Sequence, residues 1–487
     1  MKPKVSMREA LADPALLGGA LPGQSWLAWR VLLIASMGEA LDADERAVFE
    51  HLTGREREPL ELVRELWAIV GRRGGKTRAA GTFGAYVGAL CDHTGYLAPG
   101  ERGVLPILAA SVSQASRAFM HARGILEHSP MLSQELDGEP TAGVIRLKTG
   151  IDIEIKPANF RTVRGITAPA AICDEVAFWM IENSANPDAE ILNALRPALG
   201  TAEGPLMVIS SPHAKRGELF KRFRAHYGAD GNPRILIARG PTKLLNPTYP
   251  QHVIDQAYED DAALAAAEYG AEFRSDIEAF IGLEVVEACV AQGVFERAYE
   301  PRHTYRAFVD PSGGSNDAMT LAIAHREDKT VVLDATRERK PPFSPEDVVA
   351  DFCALLKAYG ISSVTGDRYA GEFAREPFRR HGINYELAEH PRSDLYRDIL
   401  PMLNSRLVSL LDSKVVVGQL VGLERRVARG GRESIDHAPG GHDDLANSVA
   451  GVVSLLRAPR HGPARSVPLW QVLGGRSPLD RRATSGR

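Results

Sequence analysis

The sequence predicts an α/β protein of two domains in series, and three observations predict it. Through the first half, apolar runs that end in glycine, serine or an acid alternate with helix-like stretches. That alternation is the mark of a parallel sheet covered on both faces. The pattern breaks over turn-rich and alanine-rich sequence and restarts near residue 300. At 487 residues the chain exceeds the usual size of one domain and is long enough for two cores.

The first informative element is Leu66–Val70, an apolar run followed by Gly71-Arg72-Arg73-Gly74-Gly75-Lys76-Thr77 and then a helix-like stretch from Arg78. Strand, glycine loop, helix is the context of a phosphate-binding loop. Glycines let backbone N–H groups close around phosphate oxygens, and the helix N-terminus adds its positive end. Lys76 is placed to reach the β- and γ-phosphates of ATP, and the Thr77 hydroxyl to ligate Mg²⁺. The loop departs from the common pattern: Val70 stands where a glycine is usual, and an arginine pair sits inside the loop.

Such a loop needs a second acid to hold the metal and a base to orient water. Val104–Ala110 runs into Ser113-Gln-Ala-Ser-Arg117 as one more strand-to-helix crossover. The run Ala168–Glu175 then ends an apolar strand in two acids. Buried parallel strands read as such continuous apolar runs. Asp174 is the candidate metal ligand and Glu175 the candidate base. A third strand, Pro205–Pro212, ends in Ser210 and Ser211, candidates for coupling hydrolysis to movement. Asp230 to Glu300 reads as a small linker subdomain, with turns at Gly231-Asn-Pro and Asn246-Pro and a helix-forming stretch from Asp260.

The second half carries a different chemistry. Arg306–Asp310 is a short strand ending in a carboxylate, Pro311–Asp317 turns, and Thr320–His325 and Thr330–Asp334 follow as hairpin strands. Ser344-Pro345-Glu346-Asp347 starts a helix, with Ser as cap, Pro in the first position and acids in the first turn. Val348, Val349, Phe352, Leu355, Leu356 and Tyr359 fall on its inner face. Ile361–Asp367 is another strand ending in an acid, and Gly440-Gly-His442-Asp443-Asp444-Leu-Ala-Asn447 opens the last helix. Asp310, Asp367 and one of Asp443 or Asp444, with Asp444 preferred, resemble the acids of a ribonuclease-H-like nuclease. Such acids hold two divalent ions about 4 Å apart. Hard oxygen ligands suit Mg²⁺, with Mn²⁺ as a substitute. Asp317 and His442 are expected only as neighbours of the ligands. Arg425, Arg426, Arg429 and Arg432 lie between the second and third acids and are candidate contacts to a DNA backbone.

Bulk properties exclude several classes. A net charge of −4 speaks against a chain that coats DNA, but not against local arginine patches. The scattered cysteines Cys91, Cys173, Cys289 and Cys353 have no metal-site spacing and suit a reducing cytoplasm. No signal peptide, membrane span or internal repeat is visible. The tail after about Ala458, rich in Arg, Pro, Gly and Ser, is expected to be disordered.

Together these motifs resemble the large subunit of tailed-phage terminases over roughly residues 20–455. The matching residues are Gly71–Thr77, Phe160-Arg-Thr-Val-Arg-Gly165, Asp174-Glu175, Ser210-Ser-Pro212, Asp310, Gly366-Asp367-Arg368 and His442-Asp443-Asp444. The run Ala267-Glu268-Tyr269…Glu272-Phe273-Arg274 is also similar. The resemblance implies an N-terminal P-loop ATPase domain over 1–229, a linker subdomain over 230–300, a ribonuclease-H-like nuclease domain over 301–458 and a tail over 459–487. It implies ATP-driven translocation of double-stranded DNA and metal-dependent cutting. The implied partners are the portal protein of a procapsid, a terminase small subunit and further copies in a ring, a pentamer when assembled. The implied setting is the bacterial host cytoplasm, transiently docked on the procapsid. Arg72 matches the loop arginine of the family. Arg164 is the candidate arginine for a neighbouring subunit's ATP, and Gln24 the candidate reader of adenine. The family often has Asp where Asn447 stands. Two rival readings are a translocase or helicase with a binding-only second half, and a non-enzymatic remnant. Retention of the three nuclease acids argues against the first, and the complete Lys76, Thr77, Asp174 and Glu175 set against the second.

Overall fold

The computed structural model describes residues 2–159, 161–179, 187–228, 231–312, 317–367, 371–427, 433–438 and 441–457. The tail, Phe160, Arg368, Arg429 and Arg432 lie outside them.

The first half is built on strands β1 (Glu65–Val70), β2 (Gly103–Ala109), β3 (Val144–Arg146), β4 (Ile151–Pro157), β5 (Ala171–Asp174), β6 (Leu206–Ser210) and β7 (Ile235–Gly240). They form one sheet in the order β3-β4-β2-β5-β6-β1-β7, parallel except for the β3–β4 pair. Every residue of β1 is buried. Its side chains alternate between two cores, as the strand period of two requires. Leu66, Ala68 and Val70 pack with α1 (Leu27–Ser36), α2 (Lys76–Leu90) and α3 (Val112–His128), while Trp67 and Ile69 face a second core that includes Leu192 and Leu195. The expected α/β class with helices on both faces is what the chain adopts. β7 corrects the boundary expected at residue 229: it pairs along its whole length with β1 and so belongs to this sheet.

The second half has a mixed six-stranded sheet. Its strands are β9 (Tyr305–Asp310), β10 (Met319–Glu327), β11 (Thr330–Arg339), β12 (Ser363–Gly366), β13 (Asn384–Leu387) and β14 (Val408–Ser409), in the order β13-β12-β9-β10-β11-β14. The expected hairpin is β10–β11. Helix α5 (Pro345–Ala358) covers one face with Val348, Val349, Phe352 and Leu356, against Ala307 and Val309. Helices α6 (Arg392–Asn404) and α7 (Asp444–Leu456) cover the other, against Phe308. Gly451 lets α7 lie on β9, because a Cβ there would fall within 2.5 Å of the Phe308 ring.

The expected linker of 230–300 divides between the two halves. Helices Gln251–Asp260 and Ala262–Glu268 connect them. Then β8 (Ile277–Ala279) joins a small antiparallel sheet with β15 (Leu423–Val427) and β16 (Glu433–His437), and Ile281, Val286 and Cys289 enter the second domain's core. Those apolar positions are buried only because β15 and α7 lie against them, a tertiary fact that local composition does not carry. The halves meet at a buried carboxylate. Glu424 of β15 has no exposed surface and accepts hydrogen bonds from Arg216 at 2.7 Å, His213 at 3.0 Å and Arg426 at 3.1 Å. Among the described residues no helix is long and apolar enough to cross a membrane, and all four cysteines are free and buried.

Candidate functional site

The first site forms at the carboxyl ends of three adjacent strands. Ile69 of β1 is opposite Ser210 of β6, and Ile209 of β6 is opposite Asp174 of β5. Sheet order therefore delivers the glycine loop, the serine pair and the acid pair to one edge, the usual ligand position of an open α/β sheet. α2 begins at Lys76, directly after the loop. Gly75 sits at φ +83°, where a Cβ would also meet the Trp26 ring at 2.7 Å. Arg73 takes a left-handed φ of 65°.

The loop is braced from three sides. Trp29 Nε1 donates to the Gly74 carbonyl at 2.6 Å, Thr242 Oγ1 to the Arg72 carbonyl at 2.8 Å, and Asn246 Nδ2 to the Arg73 carbonyl at 2.9 Å. The Arg72 guanidinium pairs with Glu268 at 2.7 Å, and its N–H donates to the Glu268 carbonyl. This contact explains why a run after residue 266 accompanies the loop.

Lys76 is buried. Its Nζ donates to Ser211 Oγ at 2.6 Å and to the Val70 carbonyl at 3.0 Å, and lies 3.4 Å from Glu175 Oε1. The other Glu175 oxygen accepts from the Ser211 N–H at 2.9 Å and from Ser210 Oγ at 3.3 Å. Glu175 holds φ 53°, a conformation costly to a side chain with a Cβ and seen where surrounding contacts impose it. Burial, reinforced by Glu175 and opposed by Lys76, pushes the Asp174 carboxyl up to about 7. A buried acid so destabilised in its charged form, close to a lysine and a half-buried threonine, fits a hard divalent cation. Gln24 is exposed at the start of the short turn of helix Gln24–Trp26 that precedes α1, and Arg164 is exposed on the loop leading into β5.

The second site rests on parallel pairing. Phe308 and Val309 of β9 are opposite Thr365 and Gly366 of β12, so Asp310 and Asp367 follow side by side. Asp444 opens α7. Its carboxylate accepts from the Ala318 N–H at 3.4 Å, and its carbonyl from Thr320 Oγ1 at 2.7 Å. Asn447, fully buried, donates to Asp310 at 2.7 Å and to Asp367 at 3.5 Å. Burial lifts the Asp310 carboxyl to about 8 against the Asn447 hydrogen bond, with Asp444, Asp367 and Asp443 adding to the rise. Burial and then Asp443 lift Asp444 to about 6. The buried Asn447 Oδ1 has no partner among the described residues. An orphaned acceptor beside three converging carboxylates fits Mg²⁺ or Mn²⁺.

Asp443 is a correction to its place among the metal ligands. Its oxygens are taken by Arg392 at 2.9 Å and Tyr396 at 2.8 Å, so it anchors α7 to α6. Of the arginines expected on DNA, Arg425 and Arg426 stand on a strand rather than a loop and are engaged within the chain. Arg425 pairs with Glu433, and Arg426 pairs with Glu424 and donates to the His437 carbonyl. Sequence reasoning missed the roles of Trp29, Thr242, Arg392 and Tyr396, which no spacing reveals. It named Asn447 only as a departure, although its place three residues after Asp444 on a helix puts both on one face.

No protein-family model and no curated protein matches the chain. Solved structures do. The large terminase of bacteriophage HK97 is 17% identical, with 81% of this chain and 91% of that chain covered, at a TM-score of 0.35. The large terminase of a thermophilic bacteriophage is 11% identical over 81% of this chain and 95% of that chain, at a TM-score of 0.36. The large terminase nuclease of another thermophilic phage, G20c, is 18% identical over 36% of this chain and 98% of that chain, at a TM-score of 0.32. The G20c nuclease is also known with bound magnesium and with bound cobalt, and the full-length thermophilic terminase in complex with ADP. The solved structures to which the chain is similar are phage large terminases, the family its sequence motifs resemble.

Proposed function

We propose that the chain is the large subunit of a phage terminase, an ATPase that drives double-stranded DNA into procapsids and a nuclease that cuts it. The observation that carries this reading is the pairing, in one chain, of a braced phosphate loop facing an acid pair with a second cluster of three carboxylates. The functional division places the motor in residues 1–240 and the nuclease in 277–458, with helices between.

In the ATP reaction the loop N–H groups of Gly71 to Thr77 and the α2 N-terminus receive the phosphates. Lys76 exchanges its contacts with Ser211 and Glu175 for phosphate oxygens. Glu175, with one oxygen fixed by the Ser211 N–H, then turns its free oxygen to the attacking water as general base. Asp174 and Thr77 hold Mg²⁺, which when bound neutralises charge on the phosphates. Gln24 contacts adenine, and Arg164 serves the ATP of a neighbouring subunit. Ser210 and Ser211 touch both Lys76 and Glu175, and His213 and Arg216 follow them in sequence and reach Glu424. A change at the nucleotide thus has a short covalent path to the second domain.

In the nuclease, Asp310, Asp367 and Asp444 hold the divalent ions, which when bound supply a polarised water and stabilise the leaving oxygen. Asn447 keeps Asp310 and Asp367 aligned. The DNA backbone follows the arginines of the hairpin over 423–437, with Arg429 and Arg432 nearer its tip than Arg425 and Arg426. The partners are double-stranded DNA, a portal protein, a small subunit and sister copies in a pentameric ring, in the bacterial cytoplasm.

The test uses purified full chain on supercoiled plasmid with Mn²⁺ or Mg²⁺, beside Asp367→Ala and EDTA, with ATP hydrolysis followed in parallel for Lys76→Ala. Metal-dependent cutting lost in Asp367→Ala, and hydrolysis lost in Lys76→Ala, are expected. ATP hydrolysis that survives Lys76→Ala, or cutting that survives Asp367→Ala, overturns the assignment.

A further inference from the structure

At the opposite end of β9 from Asp310 lies a second cluster of ligating side chains. β9 and β10 are antiparallel with Tyr305 opposite His325. Two residues further out, His303 therefore falls over Glu327. Strand alternation puts His325 and Glu327 on one face. His325 Nε2 is 3.2 Å from Glu327 Oε1, and His303 Nε2 is 3.5 Å from the same oxygen. The two imidazoles stack at 4.0 Å between centroids. One ligand atom from each of the three residues lies within 4.8 Å of the others. Nitrogen and oxygen ligands at about 2.05 Å from a tetrahedral ion stand about 3.3 Å apart, close to both contacts with Glu327.

The partner behind the cluster is also in place. In the β10–β11 pairing, Ala324 meets Leu333 but Ile323 meets Ala335, so Asp334 is the extra residue of a bulge. The bulge turns the buried Asp334 carboxylate onto His325, with Oδ2 at 2.7 Å from Nδ1. A carboxylate on Nδ1 keeps the proton there and leaves the Nε2 lone pair free, the arrangement that supports metal-binding histidines. A cavity of about 450 Å³, lined by Glu300, Tyr305, His325, Glu327 and Asp334 among others, leaves room for a water as fourth ligand. Arg302 Nε now donates to His303 Nε2 at 3.0 Å. That side chain is 71% exposed and can swing out, leaving Glu300, whose Oε2 is 3.8 Å from His303 Nε2, on the rim.

We infer that His303, His325 and Glu327 form a binding site for one divalent transition-metal ion of the zinc class, oriented by Asp334 and separate from the carboxylate cluster. Two imidazoles select zinc-like ions over Mg²⁺, which takes oxygen ligands. The ion ties the segment before β9 to the edge of β10, so its role is structural.

The test is Zn²⁺ binding by the full chain in millimolar Mg²⁺, which fills the carboxylate site, followed by equilibrium dialysis with metal analysis. Co²⁺ absorption in the same buffer reads the geometry. Glu327→Gln is isosteric at an exposed position, and His303→Asn is a second variant. The parent is expected to bind one equivalent of Zn²⁺ and show the intense visible bands of tetrahedral Co²⁺. Both variants are expected to bind at least 100-fold more weakly while keeping Mg²⁺-dependent cutting. A parent that takes up no Zn²⁺ in the presence of Mg²⁺, or variants that bind as the parent does, overturns the site.

Discussion

Glu424 offers the sharpest test of how the two halves are held together. It has no exposed surface and gathers Arg216, His213 and Arg426, whose side chains are 29%, 12% and 34% exposed. Removing one partner of a buried ion pair costs about 3–5 kcal/mol, because the other charges stay desolvated. The three cations can partly rehydrate, so Glu424→Ala is expected at the lower end, about 3 kcal/mol. Glu424→Gln, which keeps an acceptor oxygen, is expected to cost about 1–2 kcal/mol. For domains of this size about 3 kcal/mol corresponds to roughly 6–12 °C in melting temperature. The sign with pH follows from the carboxyl itself. Burial pushes it up, but His213, Arg216 and Arg426 outweigh burial and hold it below the usual range. A depressed folded-state pKa contributes stability above the unfolded value, near 4.3, that is lost as pH falls through the folded value. The gap between parent and Glu424→Gln should therefore be full at pH 7 and narrow below about pH 4. Scanning calorimetry reads both quantities. It also shows whether one transition in the parent separates into two in Glu424→Ala. A Glu424→Ala variant that melts within about 1 kcal/mol of the parent, or a Glu424→Gln gap unchanged at acid pH, refutes the reasoning.

Other outcomes follow from the same geometry. Without metal, the raised Asp310 and Asp444 carboxyls cost stability as pH rises from about 4 toward 8, so the gain in melting temperature on adding Mg²⁺ should be larger at pH 8 than at pH 5. Equal gains at the two values would remove that account of the acids. Glu175→Gln should lower the ATP turnover number by about 100-fold or more, the usual contribution of a positioned base, with plasmid cutting unchanged. Trp29→Phe removes the donor to the Gly74 carbonyl and should cost about 1 kcal/mol and raise the KM for ATP, read by denaturation and steady-state kinetics. Gly451→Ala drives a methyl into the Phe308 ring and should destabilise the second domain by about 1–3 kcal/mol, measured by urea unfolding.

The sequence by itself determined the local elements and the chemistry they carry. Leu66–Val70 reads as a buried strand because every position is apolar after Glu65, and the glycines that follow can only turn and admit a phosphate. Ser344-Pro345 starts α5 by a preference that acts within one turn. Asp310 and Asp367 are visible as acids at strand ends because strand length and polarity are short-range properties. Only the tertiary structure decided what those residues meet. Ser211 bonds Lys76 because β6 lies between β1 and β5, an order that the chain sequence of these strands does not state. Asp444 faces Asp310 while its neighbour Asp443 is spent on Arg392 and Tyr396, a choice set by how α7 packs on α6. β7 joins the first sheet, and residues 277–294 join the second domain. Edge pairing and burial are rewarded over distances where no local pattern exists. Glu424 beside two arginines looks like a solvated charge in the sequence; the fold makes it the buried joint between the halves.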